Sequence, residues 1–382
     1  MIHVTDETRT PGSVAAGPGR LPDAPRPAAD SGAADPGECS DAAGSDGRPS
    51  RPRVPRVLVL LAGLCLLVLL CLLSLAVGSR QIPLDQVWAA LTGPRDGQAG
   101  RIVWDVRVPR TLLGVLAGSA LGLAGAVMQG LTRNPLADPG LLGVSAGAAF
   151  ALMLSVGVMG MTSLYAYVWF AFAGAVAASV VVYLVGGLGR GGQTPVKLAL
   201  AGIAVTFLLE SVTRGVSLVD PQVLNRYRYW SSGSLAGQET TTLLQVLPFL
   251  VGGAVLALSI APALNNIALG DDVAVALGRR LRRIRLQGAL AVMLLTGGAV
   301  AVAGPIVFVG LVVPHAVRAV SGPDQRWLLP LTALLAPCLL LAADVVGRVV
   351  ARPQEIDVGI VAAFLGAPFF IALVRRRRLA EL

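Results

Sequence analysis

Two acid–arginine pairs stand at helical i,i+4 spacing in this 382-residue chain: Glu210 with Arg214 in LLESVTRG, and Asp344 with Arg348 in LAADVVGRVV. Side chains four apart share a helix face, so each acid can neutralise its arginine. Both pairs sit inside apolar runs, where an ionisable group is costly and therefore informative. They could form a proton or ion relay, as in a secondary transporter. Structural charge pairing near a membrane interface is the simpler reading and the preferred one. His315 follows Pro314 in FVGLVVPHAVR without a Cys or second His nearby. That makes a poor metal site and predicts a hydrogen-bonding residue at a helix end. Lys197, the only lysine, lies between Val196 and Leu198, so no glycine-rich loop ending in Lys-Ser/Thr is present to cradle phosphates. No Gly-x-Ser-x-Gly elbow marks a hydrolase. Cys39, Cys65, Cys71 and Cys338 lack metal-ligand spacing and read as small hydrophobes. The chemistry-bearing residues therefore predict no cofactor, no metal and no enzymatic activity of the chain's own.

The elements that must hold these residues are membrane spans. Hydrophobic residues make up 54% of the chain and charged residues 14%, with mean hydropathy +0.71. A soluble domain carries about 25% charged residues. Residues 57–77 hold no charge over a length sufficient to cross a bilayer core of about 30 Å. The pattern predicts about ten spans: 57–77, 109–132, 140–161, 164–187, 197–219, 243–262, 286–304, 306–320, 327–350 and 356–374. The eighth is short and bounded by prolines, which suggests a half-helix. Residues 1–55, rich in Gly, Pro, Ala, Ser and Asp, predict a disordered cytoplasmic tail, leaving 56–382 as the transmembrane domain. With that tail inside, roughly two thirds of the 31 lysines and arginines fall on the cytoplasmic side, which places both termini there. The net charge of +9 thus reads as topology; the arginines form no stacking platform for nucleic acid.

Glycine supplies the packing signal. Gly114, Gly118 and Gly122 recur every fourth residue, and Gly143 and Gly147 repeat the interval in the next span. Such stripes let helix backbones approach closely where lipid offers no hydrophobic drive. One soluble-looking insertion interrupts the spans: IALGDDVAVALGRRLRRIR, residues 267–285. Asp271 is placed to cap a short helix, Asp272 to favour its dipole, and Gly278 to end it. About two turns long, the helix needs outside support. Val273, Ala276 and Leu277 would face a groove on this protein or on another chain. The arginine block alone reads as a membrane-surface anchor.

Three long stretches carry a family resemblance. RVPRTLLGVLAGSALGLAGAVMQGLTRNPLADPGLLGVSAGAAFA (107–151), GPIVFVGLVVPHAVRAVSGPDQRWLLPLTALLAPCLLLAADVVGRVV (304–350) and VGIVAAFLGAPFFIALV (358–374) resemble FecCD-type permeases. These are the membrane subunits of ABC importers for iron–siderophores, haem and cobalamin. The resemblance implies an all-α bundle of the type II ABC importer permease class in the cytoplasmic membrane. It implies dimerisation with a second permease subunit, identical or related. ATPase subunits would bind ATP and magnesium below, and a lipidated extracytoplasmic binding protein would dock above. Ferric siderophores are the favoured cargo. Residues 264–278 match the family's coupling helix, which assigns Leu269, Gly270, Asp271, Asp272, Ala274, Leu277 and Gly278 to ATPase contact. Arg107, Arg110 and Arg348 match docking arginines, with Arg348 expected to pair with Asp344 and still present charge outward. Thr194 and Pro195 fall at the cytoplasmic gate, where relatives commonly carry a small hydroxyl residue in place of the proline. GPDQR (322–326) departs from the usual Asp-His-Arg.

Overall fold

The computed structural model describes residues 55–375, except 94–96, 158, 161–163, 189–194 and 219–220. The expected disordered tail lies outside the described residues but for its last position.

All regular structure among the described residues is helical. In chain order it comprises α1 (Arg56–Ala76), α2 (Leu84–Thr92), α3 (Gly97–Arg101), α4 (Val108–Thr132), α5 (Val144–Gly157), α6 (Leu164–Gly186), α7 (Pro195–Ser217), α8 (Pro221–Ser231), α9 (Thr240–Ser259), α10 (Ala261–Ala268), α11 (Asp271–Ala276), α12 (Leu281–Ala303), α13 (Val309–Ser321), α14 (Gln325–Val350) and α15 (Val358–Arg375). Seven helical runs are long and apolar enough to cross a membrane, and α5, α13 and α15 are shorter apolar helices. Each of the ten expected spans falls on one of these ten segments. Successive spans run up and down, so α8 and the loop 351–357 lie at one end of the bundle. The α10–α11 insertion lies at the other.

The most hydropathic span is not the core. α1 is largely exposed on the bundle surface, whereas α4 is mostly buried at the centre against α9, α12, α13 and α14. Small residues explain the difference. A Cβ added at Gly118 would stand 2.5 Å from Pro337 Cα, one at Gly122 2.4 Å from Ala336 Cβ, and one at Gly114 2.6 Å from Leu341 Cδ2. The predicted stripe therefore seats α4 on α14. It continues at Gly125, where a Cβ would meet the Gly310 carbonyl of α13 at 1.9 Å. Gly147 likewise lies against Gly174 of α6, where an added Cβ would stand 2.3 Å from the carbonyl oxygen. Gly143 differs from expectation. It sits at φ 69° closing the 3-10 turn Pro139–Leu142, with ordinary space around it, so it serves backbone shape and not close packing.

Two irregularities position later features. Residues Ile102–Arg107 form a π-turn feeding α4, with the Val108 N–H bonded to Val103 O. Pro109 has no N–H to give to the carbonyl four residues back and would crowd it, and the widened turn relieves both problems. α13 is the expected half-helix: 13 residues rise only about 20 Å. Its first turn begins beside Gly125, deep in the bundle, after a non-helical run through 304–307 and Phe308 at φ 69°.

Candidate functional site

Three arginines and two acids converge at the α8 end. Asp344 on α14 receives Arg110 Nε and Nη2 on one oxygen at 3.1 and 2.8 Å, and Arg348 Nη2 on the other. The i,i+4 pair read from the sequence is thus formed, and a second arginine from α4 joins it. Arg110 Nη1 turns away to Glu355, in the loop before α15, at 2.6 Å. Arg348 Nη1 donates to Ser74 O and Val77 O, both at 2.9 Å. Arg107 Nη1 donates to Leu75 O at 2.6 Å and Ala76 O at 2.9 Å, and its Nη2 to Arg80 O at 2.9 Å. The last carbonyls of a helix have no partner within it and carry its negative dipole end. Arg107 and Arg348 therefore act as a cationic cap on α1.

The cluster is closed. Arg107, Arg110, Asp344 and Arg348 are 3%, 7%, 1% and 1% exposed. Arg348 pairs with Asp344 as expected, but burial leaves no guanidinium edge presented outward. Glu355, with a side chain 28% exposed, is the member nearest solvent. Burial alone would raise its pKa, but hydrogen bonds from Ser79 and Arg110 outweigh that and hold it below the ordinary glutamate value. Sequence spacing missed Glu355, Ser74, Thr111 and Gly78. Ser74 Oγ and Thr111 Oγ1 lie 2.7 Å apart beneath Arg348, and a side chain at Gly78 would strike Arg107 Nη2 at 2.8 Å. Glu355 lies 245 residues from Arg110, so no local periodicity could join them.

At the opposite end, α10 and α11 form a protrusion. The helix starts one residue earlier than a capping Asp271 requires: Gly270, at φ 113°, occupies the cap and Asp271 is the first helical residue. The Asp271 carboxylate instead braces the protrusion, accepting from Arg285 at 2.7 Å and Arg133 at 3.4 Å. Gly278 ends the helix as expected, at φ 76°. Its N–H bonds to Val275 O at 2.8 Å and the Arg279 N–H to Ala274 O at 3.0 Å, the two bonds of a Schellman motif. One residue of the expected ATPase-contact set, Ala274, turns inward. Ala274 is buried against Ala263, Ile267 and Ile284 of the same chain, while Leu269, Val273, Val275 and Leu277 are exposed. Arg279, Arg280, Arg282 and Arg283 are exposed beside them. Ala276, expected in the groove-facing set, is exposed as well.

A cavity of about 560 Å³ opens at the α8 end between α5, α6, α8 and α12. Its walls include Leu152, Val168, Tyr229, Trp230, Gln238 and Asp357. Asp357 is held by Ser232 Oγ at 2.6 Å. Among the described residues no group of acids, histidines and cysteines is placed to hold a metal.

Comparison with known proteins decides the family. Residues 66–376 match the model of the FecCD transport family. The chain belongs to the FecCD family. It is 49% identical over 305 residues to the ferric enterobactin transport system permease FepD of Escherichia coli K12, covering 80% of this chain and 91% of that one. It is 39% identical to the probable siderophore transport system permease YfiZ of Bacillus subtilis 168, covering 76% and 87%. A solved inward-facing putative metal-chelate type ABC transporter superposes with a TM-score of 0.74 at 27% identity, covering 84% of this chain and 99% of that chain. The all-helical, polytopic FecCD permease fold expected from the sequence is thereby confirmed.

Within this FecCD bundle the remaining sequence assignments separate. Thr194 lies outside the described residues, and Pro195 is the first residue of α7. Each suspected relay acid is paired with arginine: Asp344 is locked by two, while Glu210 faces Arg214 at 3.3 Å on a well exposed stretch of α7. Structural pairing, the preferred reading, fits both. His315 is not at a helix end; it lies inside α13 with its ring edge-on to Phe369 at 6.0 Å, and its buried Nδ1 has no hydrogen-bond partner.

Proposed function

We propose that this chain is the permease subunit of an ATP-driven importer that carries ferric siderophores across the cytoplasmic membrane. FecCD membership supports the transport role, and the names of relatives such as the ferric enterobactin permease support the cargo. The observation that carries the mechanism is the α11 protrusion. It is anchored to its own bundle through Ala274, closed by a Schellman motif, and left with Leu269, Val273 and Leu277 uncovered. A helix of six residues held that firmly can transmit force, and its uncovered leucines and valine suit a groove on an ATPase subunit. ATP and magnesium would be bound by that partner, since the chain carries no phosphate loop of its own.

The arginine bias supports an orientation with the α11 end and both termini in the cytoplasm. The α8 end then faces outward and receives a lipid-anchored binding protein loaded with cargo. Of the three docking arginines, Arg110 alone has an edge turned toward the surface, under Glu355. Arg107 and Arg348 contribute by fixing the α1 terminus and by their charge. A second permease subunit, identical or related, would cover exposed apolar residues such as Phe207 of α7 and Phe364 of α15, and lipid the rest. Thr194 and Pro195, where α7 begins, would form the cytoplasmic gate.

The test is uptake by the chain reconstituted with its ATPase and binding protein in vesicles. ATP-dependent accumulation of a ferric siderophore, abolished when residues 267–278 are deleted while membrane insertion persists, is the expected result. Uptake that follows a pH gradient without any ATPase would overturn the assignment.

A further inference from the structure

The α8-end cluster contains its own carboxylates, and they differ in how firmly they are held. Asp344 accepts from two arginines, is buried, and projects from the last two turns of a long helix. Glu355 meets one arginine donor, Arg110 Nη1, with Ser79 as its other hydrogen-bond partner, is over a quarter exposed, and sits in the loop 351–357 between α14 and α15. Arg110 therefore presents one edge inward to a permanent partner and one edge outward to a displaceable one. An approaching carboxylate from outside meets Glu355 at the very donor it needs.

We propose that Glu355 is an intramolecular stand-in for the docking partner's carboxylate, and that its displacement from Arg110 sets how tightly the binding protein docks. The proposal rests on the reading of Arg110 as a docking residue. Three guanidinium groups face two carboxylates in the cluster, so the resting site keeps a net charge of one positive. That surplus is enough to attract an acidic partner but leaves no donor edge of Arg110 open. When a partner carboxylate takes the Nη1 edge, Glu355 swings into solvent and the loop leading to α15 is released from α4. Docking is thereby linked to the start of α15, which is also tied to the turn after α8 through Ser232–Asp357 and the Gly359 N–H to Gly233 O bond. The competing acid weakens docking, so an empty binding protein can leave after delivery.

The experiment titrates the cognate binding protein, freed of its lipid anchor, onto the assembled permease–ATPase complex in nanodiscs at several salt concentrations. Glu355→Gln keeps a hydrogen-bond acceptor for the loop but removes the competing charge. It should tighten docking by roughly threefold to tenfold, the scale of one partly exposed charge-assisted hydrogen bond. It should also steepen the salt dependence, because the site's surplus charge rises by one. Glu355→Asp, one methylene shorter, lengthens the contact with Arg110, should tighten docking by less than the glutamine change, and serves if that variant assembles poorly. Arg110→Gln should weaken docking and erase the effect of a second change at Glu355. Docking that is unchanged or weaker in both Glu355 variants, with Arg110→Gln still weakening it, overturns the stand-in and leaves the docking reading intact. Docking indifferent to all three changes overturns both.

Discussion

The two ends of the bundle treat charge and apolar surface in opposite ways. At the α8 end, three arginines are buried with nearly all their donors engaged, and apolar helix walls surround them. At the α11 end, four arginines and four large apolar side chains stand exposed on a protrusion tied down by one alanine and one aspartate. A buried ion pair is hard to break and adds little net stability relative to apolar packing, so the first end is built for fixed geometry. Exposed leucines and valines on a rigid protrusion are interaction energy not yet used, so the second end is built for a partner. One end holds shape; the other is incomplete until something covers it.

The sharpest way to break this contrast is Arg348→Ala. It removes one of two cations from Asp344 and frees the Ser74 and Val77 carbonyls at the end of α1, leaving a buried carboxylate underpaired. Removing one partner of a buried pair costs about 3–5 kcal/mol. The expected outcome is a large fall in the thermal unfolding midpoint in detergent and poor recovery from membranes. A variant as stable as wild type would mean that the α8-end cluster is not the fixed element it is taken to be.

Second in size is the double change Val273→Glu with Leu277→Glu. Both side chains are exposed, so the unfolding midpoint should hold. ATPase association should weaken by about 2–4 kcal/mol, as for a hot spot lost from an interface centre. Co-purification of the ATPase and calorimetry of the detergent-purified chain read the two effects separately. Equal losses in stability and association would erase the distinction between the ends.

How far each end could be read from the sequence follows from the range of its interactions. The protrusion is local: Gly270, Asp271 and Gly278 sit within one short stretch, and its start and stop were legible to within a residue. Its inward face was not, because Ala274 is chosen by Ala263, Ile267 and Ile284, which belong to two other helices. The span count was legible from apolar length, and the glycine interval identified α4 as a close-packed helix. Gly143 fits the same interval yet serves a turn, since spacing cannot tell a φ requirement from a contact. At the arginine cluster, i,i+4 periodicity gave Asp344–Arg348 and nothing more. The partners of Arg107 are backbone carbonyls about thirty positions away, and backbone acceptors leave no trace in residue type.

Ala274→Leu tests the anchor of the protrusion and ranks third. The site is fully buried against three side chains, so three added heavy atoms must force rotamers or shift α11. Overpacking of this kind costs about 1–3 kcal/mol. Hydrogen exchange at the Ala274 and Arg279 amides should speed up, with global stability little changed. Association with the ATPase should fall less than in the double glutamate variant, because the exposed face is displaced but present.

Asp271→Asn is the smallest effect and the most discriminating. The family resemblance makes Asp271 a contact residue, whereas both its oxygens are already engaged within the chain, by Arg285 and Arg133. If bracing is its role, asparagine keeps an acceptor for Arg285 and loses only partly exposed ion pairs, worth about 0.2–1 kcal/mol each. ATPase coupling should then drop by about twofold to thirtyfold, the range that two such pairs span. The deficit should shrink as salt rises, because screening already weakens the same pairs in the wild type. A direct contact with the ATPase would behave otherwise. Burial at an interface would shield the carboxylate from salt, and its loss would leave an unpaired partner, a cost of about 2 kcal/mol or more that persists at high ionic strength. The salt dependence of a modest defect thus tells whether the first residue of α11 touches the motor or merely keeps the lever straight.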